Sequence, residues 1–430
     1  MPTEKTACKS LRREVYGMNQ QMQDQEIKNP WSDRESLPTV APRHILLAAI
    51  ACLVCALCLP LCANEWIALG ALAVLFAYVA IAVRSPVAVT LVLVTAVAAV
   101  IVGGGSFTYG AIFLSLAVGT ATCSYLATVV RLPFLALILP IVAGAVAFLL
   151  GADILVCLLS LAFLPAATLL AVATRKGCDR TTAICYTIAG LLVSLVAVLL
   201  ILVYQEYGHI GRNAIVGYVD TLRNGTLQTL VLLREELLAS TSQAVQDAAT
   251  KEAYDSLAVM MSDETLSELV SIVFNVLPAM AVALCSIVAY EAQGMLNTLY
   301  YNTGLRSVVT PASRIFSMSV TAAVIYLLTF ILSLVIPSSS IVSAAVQNIC
   351  LMLLPGFCVL GVQSAFVSLA QAKGGMRVFL LLFFGSMLCC YTGGALYIVA
   401  TWGAYGRVMQ AIRKKLLEKM DRNRNGGDGI

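Results

Sequence analysis

Residues 44–83 read HILLAAIACLVCALCLPLCANEWIALGALAVLFAYVAIAV, forty positions with one charged residue, Glu65, between two apolar runs. Each run is long enough to cross a hydrocarbon core of roughly 30 Å as a helix. The pattern continues outward. From His44 to Tyr204 the charged residues are Glu65, Arg84, Arg131, Asp153, Arg175, Lys176, Asp179 and Arg180, and each falls at a joint between runs of about 17–23 residues. A water-soluble helix would instead carry charge along one face. The whole chain is 60% hydrophobic and only 12% charged, where soluble domains are about a quarter charged. The expected fold class is therefore all-α: a polytopic transmembrane helix bundle of about 10–11 spans with one helical extramembrane insertion.

The organisation follows from where the apolar runs stop. Residues 1–43 are polar and mixed in charge and read as a flexible cytoplasmic tail; the first apolar run begins too late for a cleavable signal. Residues 44–204 form a first transmembrane block of seven runs: 44–62, 66–83, 86–102, 107–130, 133–150, 153–173 and 182–204. Residues 205–267 hold nine acidic and four basic residues and read as an acidic, extracytoplasmic helical loop. Leu227, Leu230, Val231, Leu233, Leu237 and Leu238 recur there at helical spacing, after an expected break at Asn224–Gly225. Ser262, before Asp263 and Glu264, is a good helix start. A second block, 268–401, contains the runs 269–290, 316–336, 340–368 and 378–400. Residues 402–430 form a basic tail.

Basic residues orient the spans. With the N-terminus inside, Arg84, Arg131 and the group Arg175, Lys176 and Arg180 fall on the cytoplasmic side, while the turns at Asn64–Glu65, Gly103–Ser106 and Gly151–Asp153 have no Lys or Arg. Four runs after the loop would then leave the tail outside, yet it carries Arg407, Arg413, Lys414, Lys415, Lys419, Arg422 and Arg424. One run must be miscounted. The expected culprit is 340–368, interrupted at Pro355–Gly356, as a broken or re-entrant segment. On the cytoplasmic side the tail would lie against anionic lipid.

The residues with chemical potential are few. Cys52, Cys55, Cys58 and Cys62 line one side of the first run, but no histidine or acidic residue is near, so they read as small apolar packing residues, as do Cys389–Cys390. The loop contains no cysteine for a disulfide framework. The two histidines, His44 and His209, lie at run edges. No zinc-hydrolase, nucleophile-elbow or phosphate-loop motif occurs; nothing points to an enzyme, a cofactor, a metal or nucleic-acid binding. Gly103–Gly105 reads as a tight turn between spans, and Asn224–Gly225–Thr226 fits a glycosylation acceptor.

No Asp, Glu, Lys or Arg lies within a run, where ion-coupled transporters place theirs. The uncharged polar groups Asn275, Gln347–Asn348, Gln363 and the tyrosines Tyr78, Tyr125, Tyr186, Tyr326 and Tyr391 must find partners in lipid. Either they bond between helices, or Asn275, Asn348 and Gln363 form a polar pocket for a modestly polar solute. Small-residue pairs Ala73/Ala77 and Ala117/Ala121 and the series Ala143, Ala147 and Gly151 suit close helix approach, within the chain or with a membrane partner.

In the second half, Leu277–Pro278 opens a span after the polar loop. A turn with Arg306, Pro311 and Arg314 follows, then Gln347–Asn348, Leu360–Gly361–Val362–Gln363 and a closing Gly403–Ala404–Tyr405–Gly406–Arg407. Over roughly residues 265–410 this order resembles the YybS-like family of bacterial multi-pass membrane proteins, a domain of unknown function. The acidic position of that family's Gly, Asp, Arg ending is replaced here by Tyr405 and Gly406. The resemblance implies a bacterial cytoplasmic-membrane protein with a distant likeness to the substrate-binding subunits of energy-coupling-factor transporters. Two functions follow: a solute-binding or transport component served by a separate ATPase module, or a non-transporting scaffold or interaction protein in envelope growth or division. The lipid bilayer is a partner in either case.

Overall fold

A computed structural model describes residues 40–130, 135–242, 262–305, 308, 316–336, 340–371 and 394–425. Most of the N-terminal tail, Arg131, the turn with Arg306, Pro311 and Arg314, Cys389–Cys390, Tyr391 and the start of the 378–400 run lie outside these residues. The described residues are all-helical, and the chain is a multi-pass membrane protein. Among the described residues, seven helical stretches are long and apolar enough to cross a bilayer, the divided stretch Ile154–Arg175 included. Three shorter apolar helices, Val89–Ile101, Ala136–Leu149 and Val320–Val335, stand beside them.

The first block contains α1 (Pro42–Leu61), α2 (Glu65–Tyr78, ending in a wider π turn over Val79–Val83), α3 (Pro86–Val102), α4 (Phe107–Val129) and α5 (Leu135–Leu149). The sixth run is not one helix. It divides into α6 (Ile154–Cys157), a tight turn at Leu158–Leu161, and α7 (Leu164–Arg175), which starts on Pro165, a residue suited to a first helical turn. Then come α8 (Arg180–Tyr207) and α9 (Arg212–Ser242).

The joint charges hold the helix ends. The Glu65 carboxylate accepts from Phe107 N (3.0 Å) and from the Ser106 hydroxyl, at the electropositive start of α4. Asp153 caps α6 through Leu155 N (2.7 Å), and Asp179 caps α8 through Thr182 N (3.2 Å). At the opposite, basic end Arg84 adopts a left-handed backbone (φ 52°) with its Nε donating to Ile81 O (2.9 Å), and Arg175 donates to Ala127 O.

Helix α4 is the axis of this block. Ala111, Leu114, Ala117, Val118 and Ala121 are buried along it, and the cysteine column Cys52, Cys55, Cys58 and Cys62 is buried on α1, which packs against it. Backbones approach closely where side chains are small: a Cβ on Gly190 of α8 would stand 2.4 Å from Ala166 Cα of α7. Ala143 and Ala147 are buried as well, but Ala73 and Ala77 are exposed among the described residues.

Three expectations need correction. Helix α9 runs unbroken through Asn224–Gly225, because a solvent-facing glycine costs a helix only about 1 kcal/mol and does not end it. The 269–290 run belongs to a 40-residue helix, α10 (Asp263–Asn302), started by Ser262, whose hydroxyl accepts from Thr265 N (3.3 Å). After α11 (Val320–Val335), the suspected broken segment is one continuous helix, α12 (Ile341–Gln371), which absorbs Pro355–Gly356. Proline in a membrane helix frees one carbonyl, which neighbouring groups can satisfy.

The last helix, α13 (Gly394–Asn425), packs along α12. Cys358 meets Leu396, Gly361 meets Val399, and Ser364 meets Gly406. Positions rise together on both, so α12 and α13 run parallel and point to the same end. Arg407 donates from Nε to Met318 O (2.8 Å), just before α11. Next to Met318, Ser317 O accepts from Thr181 at the start of α8 (2.7 Å). The basic stretch after Arg407 thus leaves at the end that holds Arg175, Lys176 and Arg180. The expected miscount does not lie in a break at 340–368, since that segment is one continuous helix.

Candidate functional site

The predicted polar trio does not converge. Asn348 of α12 donates from Nδ2 to Asn275 O on α10 (3.0 Å) and to Ala344 O (2.8 Å), so these two meet as a helix-to-helix link. Gln363 lies fifteen residues further along the same unbroken helix, about 22 Å away at 1.5 Å per residue. Among the tyrosines, Tyr78, Tyr125 and Tyr326 are buried, whereas Tyr186 faces outward. Tyr125 packs its ring against Tyr300 of α10 (5.7 Å between centroids), and the Tyr300 hydroxyl meets Thr128 (2.6 Å).

Gln363 instead lines a cleft of about 540 Å³ between α12, α13 and the segment before α11. Its wall is mixed: Phe316, Leu360, Trp402 and Met409 are apolar, Ser317, Ser364, Ser368 and Gln410 are polar, and Arg407 and Arg413 bring positive charge. The cleft exists because α12 and α13 touch at glycines. A Cβ on Gly361 would fall 2.0 Å from Val399 O, and one on Gly403 would fall 2.3 Å from Phe357 O. Below that crossing the two helices carry larger side chains, and the space between them opens. No Asp or Glu is among the lining residues, so the arrangement suits a solute with an anionic or strongly hydrogen-bonding group. The cleft partners of Gln363 come from its own helix, from Phe316 and Ser317, and from the closing helix between Trp402 and Arg413. Only their clustering at the basic end hints at this in the sequence.

A second feature went unread because the apolar run stops at Tyr290. Glu291 is 3% exposed, and neither carboxylate oxygen has a hydrogen-bond partner among the described residues. Val288, Ala292, Met295 and Leu299 continue the buried stripe past it, so hydrophobic spacing carries the helix on to Asn302. The 269–290 run itself holds no acidic or basic residue, but the helix and its buried face continue past it through Glu291. An ionised side chain at the centre of a membrane helix costs about 2.5–3.5 kcal/mol on insertion scales. Nearby, the Arg180 guanidinium sits 4.4 Å from the centre of the Tyr290 ring.

Among the described residues, no three His, Cys, Asp or Glu side chains gather as a metal site. Comparison of the chain with protein families, with curated proteins and with solved structures found no match. Functional reading therefore rests on the chain's own residues.

Proposed function

We propose that the chain is a solute-binding or transport component of a cell membrane, with the cleft between α12 and α13 as its binding site. The observation that carries this reading is the pairing of Arg407 and Arg413 with Gln363, Gln410 and three serines around a space large enough for a small metabolite. The solute is polar, with an anionic group for the guanidinium pair. The cleft belongs to the basic end, so by the distribution of basic residues it faces the cytoplasm. A bacterial cytoplasmic membrane, a YybS-like relationship and a separate ATPase module belong to the same proposal and rest on sequence order alone.

The test is native mass spectrometry of the gently extracted chain. A small molecule retained by the wild type should be lost from Gln363→Ala and from Arg413→Ala. A molecule that survives both substitutions would end the reading for this cleft. Co-purification of an ATPase pair would support the transport assignment further.

One observation favours the scaffold alternative. Helix α9 exposes Val216, Leu222, Leu232 and Leu233 beside its charged positions, a surface suited to a partner. Loss of function on deleting 212–242, with both cleft variants fully active, would decide for that alternative.

A further inference from the structure

Two rulers place Glu291 near mid-depth. Asn302 donates to Val83 O (2.5 Å) beside Arg84, which marks the basic end of α10, and Glu291 lies eleven residues away, about 16 Å along the helix. Thr95 of α3 lies beside the Glu291 carboxyl, nine residues above Pro86, about 14 Å from the same end. Both values are close to half of a hydrocarbon core of roughly 30 Å.

Burial decides which form of the acid fits. The Thr95 hydroxyl is engaged with its own helix, donating toward Leu91 O (3.0 Å) and Val92 O (3.1 Å), and neither oxygen of Glu291 has a hydrogen-bond partner among the described residues. A buried carboxyl without partners is accommodated neutral at far less cost than ionised.

Among the described residues no cation forms a salt bridge with the carboxyl, although the Arg180 guanidinium lies over the Tyr290 ring and 3.8 Å from where a Cβ on Gly294 would stand. Helices α3, α4 and α12 contain no Asp, Glu, Lys or Arg. The π turn of α2 leads to Arg84, at the level of Asn302. Helix α8 contributes Arg180, seated on the Tyr290 ring, and α9 contributes Arg234, bound to Asp263 at the far end. Tyr125 of α4 is turned to Tyr300, nine residues further along α10.

We propose that Glu291 is a proton-binding site in the middle of the bundle. In this closed arrangement the carboxyl carries its proton and is neutral; when water reaches it, the proton passes to water and the carboxylate is solvated. The inference does not depend on what the α12–α13 cleft holds, and its test involves no solute.

The experiment is infrared spectroscopy of the full chain, reconstituted in lipid near pH 7 with carbon-13-labelled glutamate. The wild type should show one protonated glutamic acid carbonyl above a background of ionised carboxylates. Glu291→Gln should remove that band. A wild-type spectrum with every glutamate ionised overturns the proposal, whether or not the variant folds, and a band that survives Glu291→Gln does the same.

Discussion

The two membrane blocks solve the same packing problem differently. Around α4 the helices pack on alanines, cysteines and glycines, and 72% of the apolar window of α4 is buried; the corresponding share for α12 is 22%. The second block has one such backbone contact, at Gly361 and Gly403, and otherwise joins α11, α12 and α13 through aromatic rings: Tyr326 lies 5.1 Å from Phe357, and Phe330 lies 5.8 Å from Tyr397. Small residues let backbones meet over their whole length and leave no room for water. Rings fill space near their own level and leave a cleft beyond it. The first kind of packing suits a sealed carboxyl, the second an open polar wall, and α10 touches both blocks.

The contrast breaks most completely if the last helix is misplaced. Accessibility tags in the Lys176–Cys178 turn and after Ile430 should report the same side of the membrane. Opposite sides would dismantle the parallel pairing of α12 and α13.

The next effect is steric. Gly403→Val drives a side chain into Phe357 O and the Gly361 backbone, and should cost about 3 kcal/mol or more, seen as loss of the folded monomer on size exclusion. In the first block, Gly119→Ala meets only the Phe163 ring, with a nearest distance of 2.8 Å, and should cost about 1 kcal/mol in thermal unfolding. Equal costs would mean that the α12–α13 contact is no tighter than the packing on α4.

Smaller still is the tie between α4 and α10. Tyr300→Phe removes the hydroxyl that meets Thr128, while Thr128 keeps its bonds to Ser124 O and Tyr125 O. The expected loss is about 0.6 kcal/mol, the usual size of such bonds within membranes, measured by denaturant-dependent unfolding in micelles. The smallest effect belongs to the pair Arg234–Asp263, whose aspartate is open to water while the arginine is largely covered: Asp263→Asn should change stability by less than about 1 kcal/mol, and added salt should shrink the difference.

Much of the architecture was legible because lipid enforces it. Charge can stand only at joints, so the joints bound most spans to within a few residues. What misled was treating local breakers as ends. Pro355–Gly356 and Asn224–Gly225 sit inside helices, since the cost of one lost bond or one glycine is small beside the packing or length of the whole helix. Glu291 was missed for the opposite reason: a single charge closed the apolar run, although Ala292, Met295 and Leu299 carry the buried face onward. Asn348 and Gln363, close in sequence, do not meet because they occupy opposite halves of one continuous helix. The cleft depends on which helices meet at Gly361 and Gly403, a tertiary fact that no spacing along the chain encodes.

Helix α10, at forty residues, is about 60 Å long, twice the thickness of the hydrocarbon it crosses. It is a lever. Pro278, the one position inside it without a backbone donor, divides it into arms of about 22 Å and 36 Å. The short arm is fastened to α9 through Asp263, and the long arm ends on the carbonyls of Ala82 and Val83. A tilt of about 10° at the proline would carry the long arm's tip some 6 Å sideways, roughly one turn of helix. Motion started in α9 would arrive amplified at the opposite face, and on the way it would pass the level at which α3 and α10 enclose Glu291.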